Sequence, residues 1–178
     1  MEKGINHYIL NKFGIEPRDT RSYSPLVLAY IGDGIYDLVI RSMIVGKGNT
    51  HVNMLHKRTS QLVKAHAQSE MIGVLLPDLT EEERAVYRRG RNAHSVTMAK
   101  NATMADYRRA TGFEALLGYL YLEDRMDRLM ELVLLGLGKI EKDAAAHGLG
   151  KLGKDAAAHG LGKLEKDAVA HGLGTRGL

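Results

Sequence analysis

Between a Ser24-Pro25 pair and two glycines at 46 and 48, apolar residues recur at Leu28, Ile31, Ile35, Leu38, Val39 and Ile44. That spacing follows the helical period of 3.6 and predicts one long, largely buried helix. Serine suits an N-cap, proline the first helical position, and glycine a helix stop. A helix this long and this apolar must be the element around which the rest of the chain is built. The remaining pattern supplies further helices. Residues 50–76 read as a second helical region, broken in the middle and ending before Pro77. Thr80-Glu81-Glu82-Glu83 is a capping box opening a helix through about Arg91. Residues 92–104 are polar and irregular, and residues 105–123 carry an apolar stripe of Phe113, Leu116, Leu117, Leu120 and Tyr121. Asp124 is read as the cap of a last helix through about Leu137. No stretch alternates with period 2, so the expected fold class is all-α.

A sharp boundary lies near residue 138. After it a twelve-residue unit runs three times, KIEKDAAAHGLG from Lys139, KLGKDAAAHGLG from Lys151 and KLEKDAVAHGLG from Lys163. Each unit has a helix-favouring stretch stopped by Gly-Leu-Gly and offers almost nothing to bury. The expected organisation is therefore an N-terminal segment over 1–23, a helical domain over 24–138 and a low-complexity repeat extension over 139–178, disordered or in short frayed helices. The histidines of the repeats, His147, His159 and His171, are too evenly spread to predict a compact metal site.

Composition narrows the function classes. The 178 residues contain no Cys, which excludes disulfides and thiolate metal sites and suits a reducing cytoplasm. The charged first residues look like neither a signal peptide nor an anchor, and no apolar run is long enough to span a bilayer, so a cytoplasmic protein without a membrane partner is expected. The net charge is only +4. Residues 1–138 hold 18 Lys and Arg against 16 Asp and Glu, and residues 139–178 hold 7 against 5. Bulk charge is thus a poor argument for nucleic acid, and any such case rests on local clusters. The clearest is Arg84, Arg88, Arg89 and Arg91, followed by Lys100, Arg108 and Arg109.

Two carboxylates stand inside apolar helical stretches. Asp33 lies in Leu28-Ala29-Tyr30-Ile31-Gly32-Asp33-Gly34-Ile35-Tyr36, and Glu114 in Gly112-Phe113-Glu114-Ala115-Leu116-Leu117. Carboxylates are rarely buried unless they are paired or bind metal. Two of them on facing helices can hold Mg²⁺, which uses few carboxylates and keeps several waters. Gly32, Gly34 and Gly112 each cost a helix about 1 kcal/mol relative to Ala, a cost that close approach of another backbone would justify. The residues alone leave two other readings open. Asp33 and Asp37, four apart, can form one hydrated stripe, and Glu114 can pair with an arginine.

The segment Leu28-Ala29-Tyr30-Ile31-Gly32-Asp33-Gly34-Ile35-Tyr36-Asp37 resembles the signature of the ribonuclease III catalytic domain. With Arg88-Arg89-Gly90-Arg91-Asn92-Ala93 and the stretch from Ala110 to Glu123, in this order and spacing, residues 24–137 resemble the Mini-III branch of that family. The resemblance implies an all-helical, homodimeric, Mg²⁺-dependent endoribonuclease that cuts double-stranded RNA, each subunit cleaving one strand to leave 5′-phosphates and 3′-hydroxyls. It implies that Asp33 is the catalytic aspartate and Glu114 a metal-binding glutamate. It also implies maturation of the ends of the large-subunit (23S) ribosomal RNA precursor. Longer members have two glutamates seven and four residues before the aspartate, and an aspartate three residues before the glutamate. Those positions here are Leu26, Ala29 and Thr111, a reduced pattern shared by the Mini-III branch. Water is the expected complement of the coordination shell, with Asp37 and Asp106 the nearest protein candidates. Longer members also carry a double-stranded-RNA-binding domain, for which the repeats leave no room. The helical domain must then grip A-form RNA itself, through phosphates and 2′-hydroxyls. Arg84, Arg88, Arg91, Asn92, Ser95, Thr97, Lys100, Asn101 and Arg108 are the expected contacts, although Arg84 and Arg88 could instead pair with Glu81 and Glu83. The reduced carboxylate set keeps a rival open, a non-catalytic duplex-RNA-binding or ribosome-assembly module. A second rival is an interaction protein whose repeats do the work.

Overall fold

A computed structural model describes residues 4–94 and 103–146. These residues form seven α-helices and two short 3₁₀ turns, with no strand among them. The helices are α1 (Ile5–Lys12), α2 (Pro25–Gly46), α3 (Val52–Val63), α4 (Ala65–Leu75), α5 (Glu81–Asn92), α6 (Met104–Leu122) and α7 (Met126–Ala146). The chain divides into two units, Met1–Gly136 and Leu137–Leu178. Of the second unit, the described part is the end of α7.

Local chemistry sets the helix ends. The Ser24 side chain accepts from the Val27 N–H at 3.3 Å, with Pro25 in the first turn of α2. Gly46 ends that helix, and Gly48 takes a φ of +123°, which a side chain would strain. Thr80 and Glu83 form the reciprocal capping box of α5. Residues 50–76 do break in two, at Lys64, whose extended backbone separates α3 from α4. Asp124 differs from the expectation of an N-cap. It sits at φ +53°, where its N–H and that of Arg125 bond back to the Tyr121 and Leu120 carbonyls at 3.1 and 2.8 Å. Asp124 therefore closes α6 in a Schellman arrangement and does not open α7. α7 also runs beyond Leu137 to Ala146, because Lys139-Ile140-Glu141-Lys142 continues in good helix formers before the first Gly-Leu-Gly. A short α1 lies in the N-terminal segment before residue 24.

α6 is the axis of the first unit. Every residue from Ala110 to Tyr121 except Glu114 is buried, and α2, α4 and α5 pack around it. Leu28, Tyr36, Ile40, Ile72, Leu75, Phe113, Leu116, Leu117, Leu120, Leu129 and Leu132 are fully enclosed. Each such side chain contributes about 1.5–3 kcal/mol relative to exposure. Tyr36 meets Phe113 edge-on at 5.4 Å. Two helix crossings depend on glycine. A Cβ at Gly32 would overlap the Glu114 carbonyl, and one at Gly118 the Leu28 carbonyl, so α2 and α6 touch backbone to backbone.

α2 is apolar nearly all round and buries one face only. Leu28, Gly32, Tyr36, Ile40 and Ile44 line that face, whereas Leu26, Val27, Tyr30, Leu38 and Val45 are exposed. Leu38, expected in the buried stripe, is 54% exposed. Glu83 is wholly enclosed and is matched by Arg128, at 2.9 and 3.0 Å, and by Arg125. Burial pushes its carboxyl up, but those guanidiniums and the Thr80 N–H outweigh burial and hold it below its usual value. No described helix is long and apolar enough to cross a membrane.

Candidate active site

The Gly32–Gly118 crossing decides what lies beside what. Asp33 follows Gly32 on α2, and the Glu114 carbonyl is the atom that a Cβ at Gly32 would strike. The two acids consequently line one open cleft of about 630 Å³, together with Leu26, Ala29, Tyr30, Ile31, Gly34, Tyr107 and Thr111. Asp33 is exposed at its rim, which corrects the expectation that it is buried. The physical reason is that the helix turns its Gly32–Tyr36 face inward. Glu114 is the half-buried member of the pair.

Electrostatics couples them. Burial and the Asp33 charge together push the Glu114 carboxyl up to about 7, against which a hydrogen bond from Gln68 acts. Burial and Asp37 raise Asp33. Two like charges in one cleft, one of them poorly solvated, favour a proton or a cation between them. A divalent ion with several waters fits such a donor set, and it needs no further protein ligand. Among the described residues no third His, Asp or Glu gathers with the pair. Asp37 is bound to Arg41 at 2.5 Å. Asp106 faces His66 at 3.3 Å and accepts from Ser69 and Thr103, which hold it below its usual value. Neither lines the cleft. Thr111 does, and its hydroxyl, which donates to the Tyr107 carbonyl at 3.0 Å, keeps its oxygen lone pairs free to accept.

One partner of the site was not foreseen. Gln68 is 2% exposed and donates from Nε2 to Glu114 Oε1 at 3.0 Å. The signal was present, since Gln68 falls at helical spacing with the buried Met71, Ile72 and Leu75 and so had to face inward. Its own Oε1 is buried with no hydrogen-bond partner, a state costing about 1–3 kcal/mol.

The expected RNA contacts fall in three groups. Arg88, Arg91 and Asn92 are exposed at the end of α5, and Arg108 is exposed on α6. Arg84 is half-buried and donates to the carbonyls of Leu79 and Pro77 at 3.1 and 3.4 Å, bracing the turn before α5. Ser95, Thr97, Lys100 and Asn101 lie outside the described residues.

Comparison with known proteins adds an independent observation. The Ribonuclease III domain family matches residues 26–125. A Mini-ribonuclease 3 of Clostridium tetani is 51% identical over 121 residues, 66% of this chain and 80% of that one. The Mini-ribonuclease 3 of a Thermoanaerobacter species is 46% identical over 142 residues, 80% of this chain and 100% of its own length. A crystal structure of a protein from Fusobacterium nucleatum superposes with a TM-score of 0.63 at 29% identity, over 66% of this chain and 97% of that one. Matched through both acid-bearing helices and the crossing between them, the chain belongs to the ribonuclease III family, in its Mini-III branch, and is an endoribonuclease.

Proposed function

We propose that the chain is a Mg²⁺-dependent endonuclease of double-stranded RNA, with Asp33 and Glu114 as its catalytic, metal-holding residues. The observation that carries this reading is the half-buried Glu114 beside Asp33 in one open cleft, each acid raised by desolvation and by a neighbouring charge. When bound, Mg²⁺ would supply positive charge to the scissile phosphate and a water of lowered pKa. Asp33 and Glu114 would contribute the negative charge that holds the ion, leaving most of its coordination to water and RNA. The products would carry 5′-phosphates and 3′-hydroxyls.

The exposed Arg88, Arg91, Asn92 and Arg108 support a grip on the phosphates of an A-form duplex, extended by Ser95, Thr97, Lys100 and Asn101. Arg84 would serve the same surface indirectly, by bracing α5. The exposed apolar face of α2 favours a homodimer with two sites, one per strand. The substrate we favour is a stem of the 23S ribosomal RNA precursor, in the cytoplasm. The catalytic unit would span residues 24–138, preceded by the segment 1–23 and followed by the repeat extension 139–178.

The test is incubation of duplex and single-stranded RNA with the protein and Mg²⁺, beside Asp33→Asn. Duplex cleavage that is lost in the variant while RNA binding persists supports the enzyme. Binding without cleavage by either protein would replace it with a non-catalytic duplex-binding module.

A further inference from the structure

Gln68 sits wholly inside the bundle, yet its amide is not needed for packing. Its neighbours on the inner face of α4 are Met71, Ile72 and Leu75, and a Leu or Met of similar size would suit them. The buried, unpartnered Oε1 is a standing penalty for carrying an amide there. What the amide gains is on the nitrogen. Nε2 donates to Glu114 Oε1 at 3.0 Å and to the Val63 carbonyl at 2.9 Å. Val63 is the last residue of α3, where carbonyls lack intrahelical partners. The preceding carbonyl, that of Leu62, accepts from the Tyr36 hydroxyl at 3.2 Å. Tyr36 lies one turn after Asp33 on α2 and packs edge-on against Phe113, the chain neighbour of Glu114. The α3–α4 bend is therefore tied by side chains both to Glu114 and to the helix bearing Asp33.

We infer that Gln68 is a positioning residue of the metal site, whose amide fixes the Glu114 carboxylate from inside the bundle and leaves its remaining acceptor sites for the cleft. The inference rests on Asp33 and Glu114 being the metal-holding pair. Because Gln68 presents nitrogen to the acid, it orients the ligand and is not itself one. Outer partners of this kind set the direction of a liganding group and thereby its affinity for the ion.

The probe is Mn²⁺, counted by electron paramagnetic resonance on the full chain without RNA. Gln68→Met keeps length and volume and removes the donor. It should weaken Mn²⁺ binding about tenfold or more while duplex-RNA affinity without metal is unchanged. Gln68→His restores an N–H and should hold the affinity within a few-fold of wild type. Equal affinity in wild type and Gln68→Met overturns the positioning role and leaves the metal site standing. Equal loss in both variants assigns the effect to packing and overturns it as well. A wild-type chain that takes up no Mn²⁺, or uptake indifferent to Asp33→Asn and Glu114→Gln, overturns the metal site and the inference with it. Should Gln68→Met fail to fold, the unmutated protein still decides. The Gln68 side-chain amide resonances should shift on addition of Mg²⁺, and resonances that stay in place overturn the proposal.

Discussion

Glu114 bears the strongest conflict of any single residue in the cleft. Folding half-buries it beside Asp33 and raises its carboxyl from 4.5 to about 7, a difference equivalent to about 3 kcal/mol. The folded chain therefore binds a proton there that the unfolded chain releases near pH 4.5. The associated stability is fully present below that pH and is lost as pH rises through about 7. Metal-free protein should melt progressively lower between pH 5 and pH 8, and Glu114→Gln should flatten that slope. A slope unchanged by the substitution would contradict the burial argument. Added Mg²⁺ should raise the melting temperature most at the alkaline end, where the ion no longer competes with the proton. Asp33→Asn should cut duplex cleavage by about a thousandfold or more, the equivalent of several kcal/mol of transition-state charge stabilisation, and should steepen no part of the melting profile. Of these two acids, Glu114 was legible from its apolar neighbours, whereas the exposure of Asp33 was not. An all-round apolar helix does not declare which face will meet a partner, and here Gly32 chose it.

Elements report on how the crossing is built. Gly32→Ala and Gly118→Ala each drive a Cβ into a carbonyl of the facing helix. Both should lose about 3 kcal/mol or more of stability, because backbone cannot move aside as a side chain can. Gly34→Ala is the matched control, since its Cβ meets nothing within 4 Å, and it should gain up to about 1 kcal/mol from helix propensity. Urea titration of the three variants measures both signs. Between α5 and α7, Arg128→Met leaves the enclosed Glu83 with Arg125 at 3.5 Å as its remaining guanidinium, beside the Thr80 N–H. It should destabilise by about 3–5 kcal/mol, and Glu83→Gln in the same chain should recover part of the loss. Helices with a chemical start or stop were readable from sequence, as Ser24-Pro25, the Thr80 box and Gly46 illustrate. The end of α6 was not, because Asp124 serves there in a left-handed conformation usually given to glycine. Gln68 escaped for a different reason, since its partner lies on another helix, 46 residues away.

At the scale of the molecule, two statements can be checked without RNA chemistry. If α2 packs against a second copy, Leu38→Glu and Val45→Glu, at exposed positions, should convert a dimer to a monomer in sedimentation without unfolding α6. A wild-type monomer would end that proposal. Truncation after Ala146 removes the end of the first repeat and all of the second and third but spares α7, and should leave duplex cleavage within about twofold. A larger loss would assign the extension a part in RNA handling. The backbone contact at Gly32 and Gly118 also bears on how such a chain can change over generations. Where two helices are separated by side chains, every core substitution alters the gap between them, and a pair of acids mounted on them drifts with it. Here, at the crossing itself, the closest approach is main chain to main chain. Mutational drift in the surrounding leucines should therefore spend itself on melting temperature and leave the spacing of the two carboxylates, and turnover at permissive temperature, nearly constant.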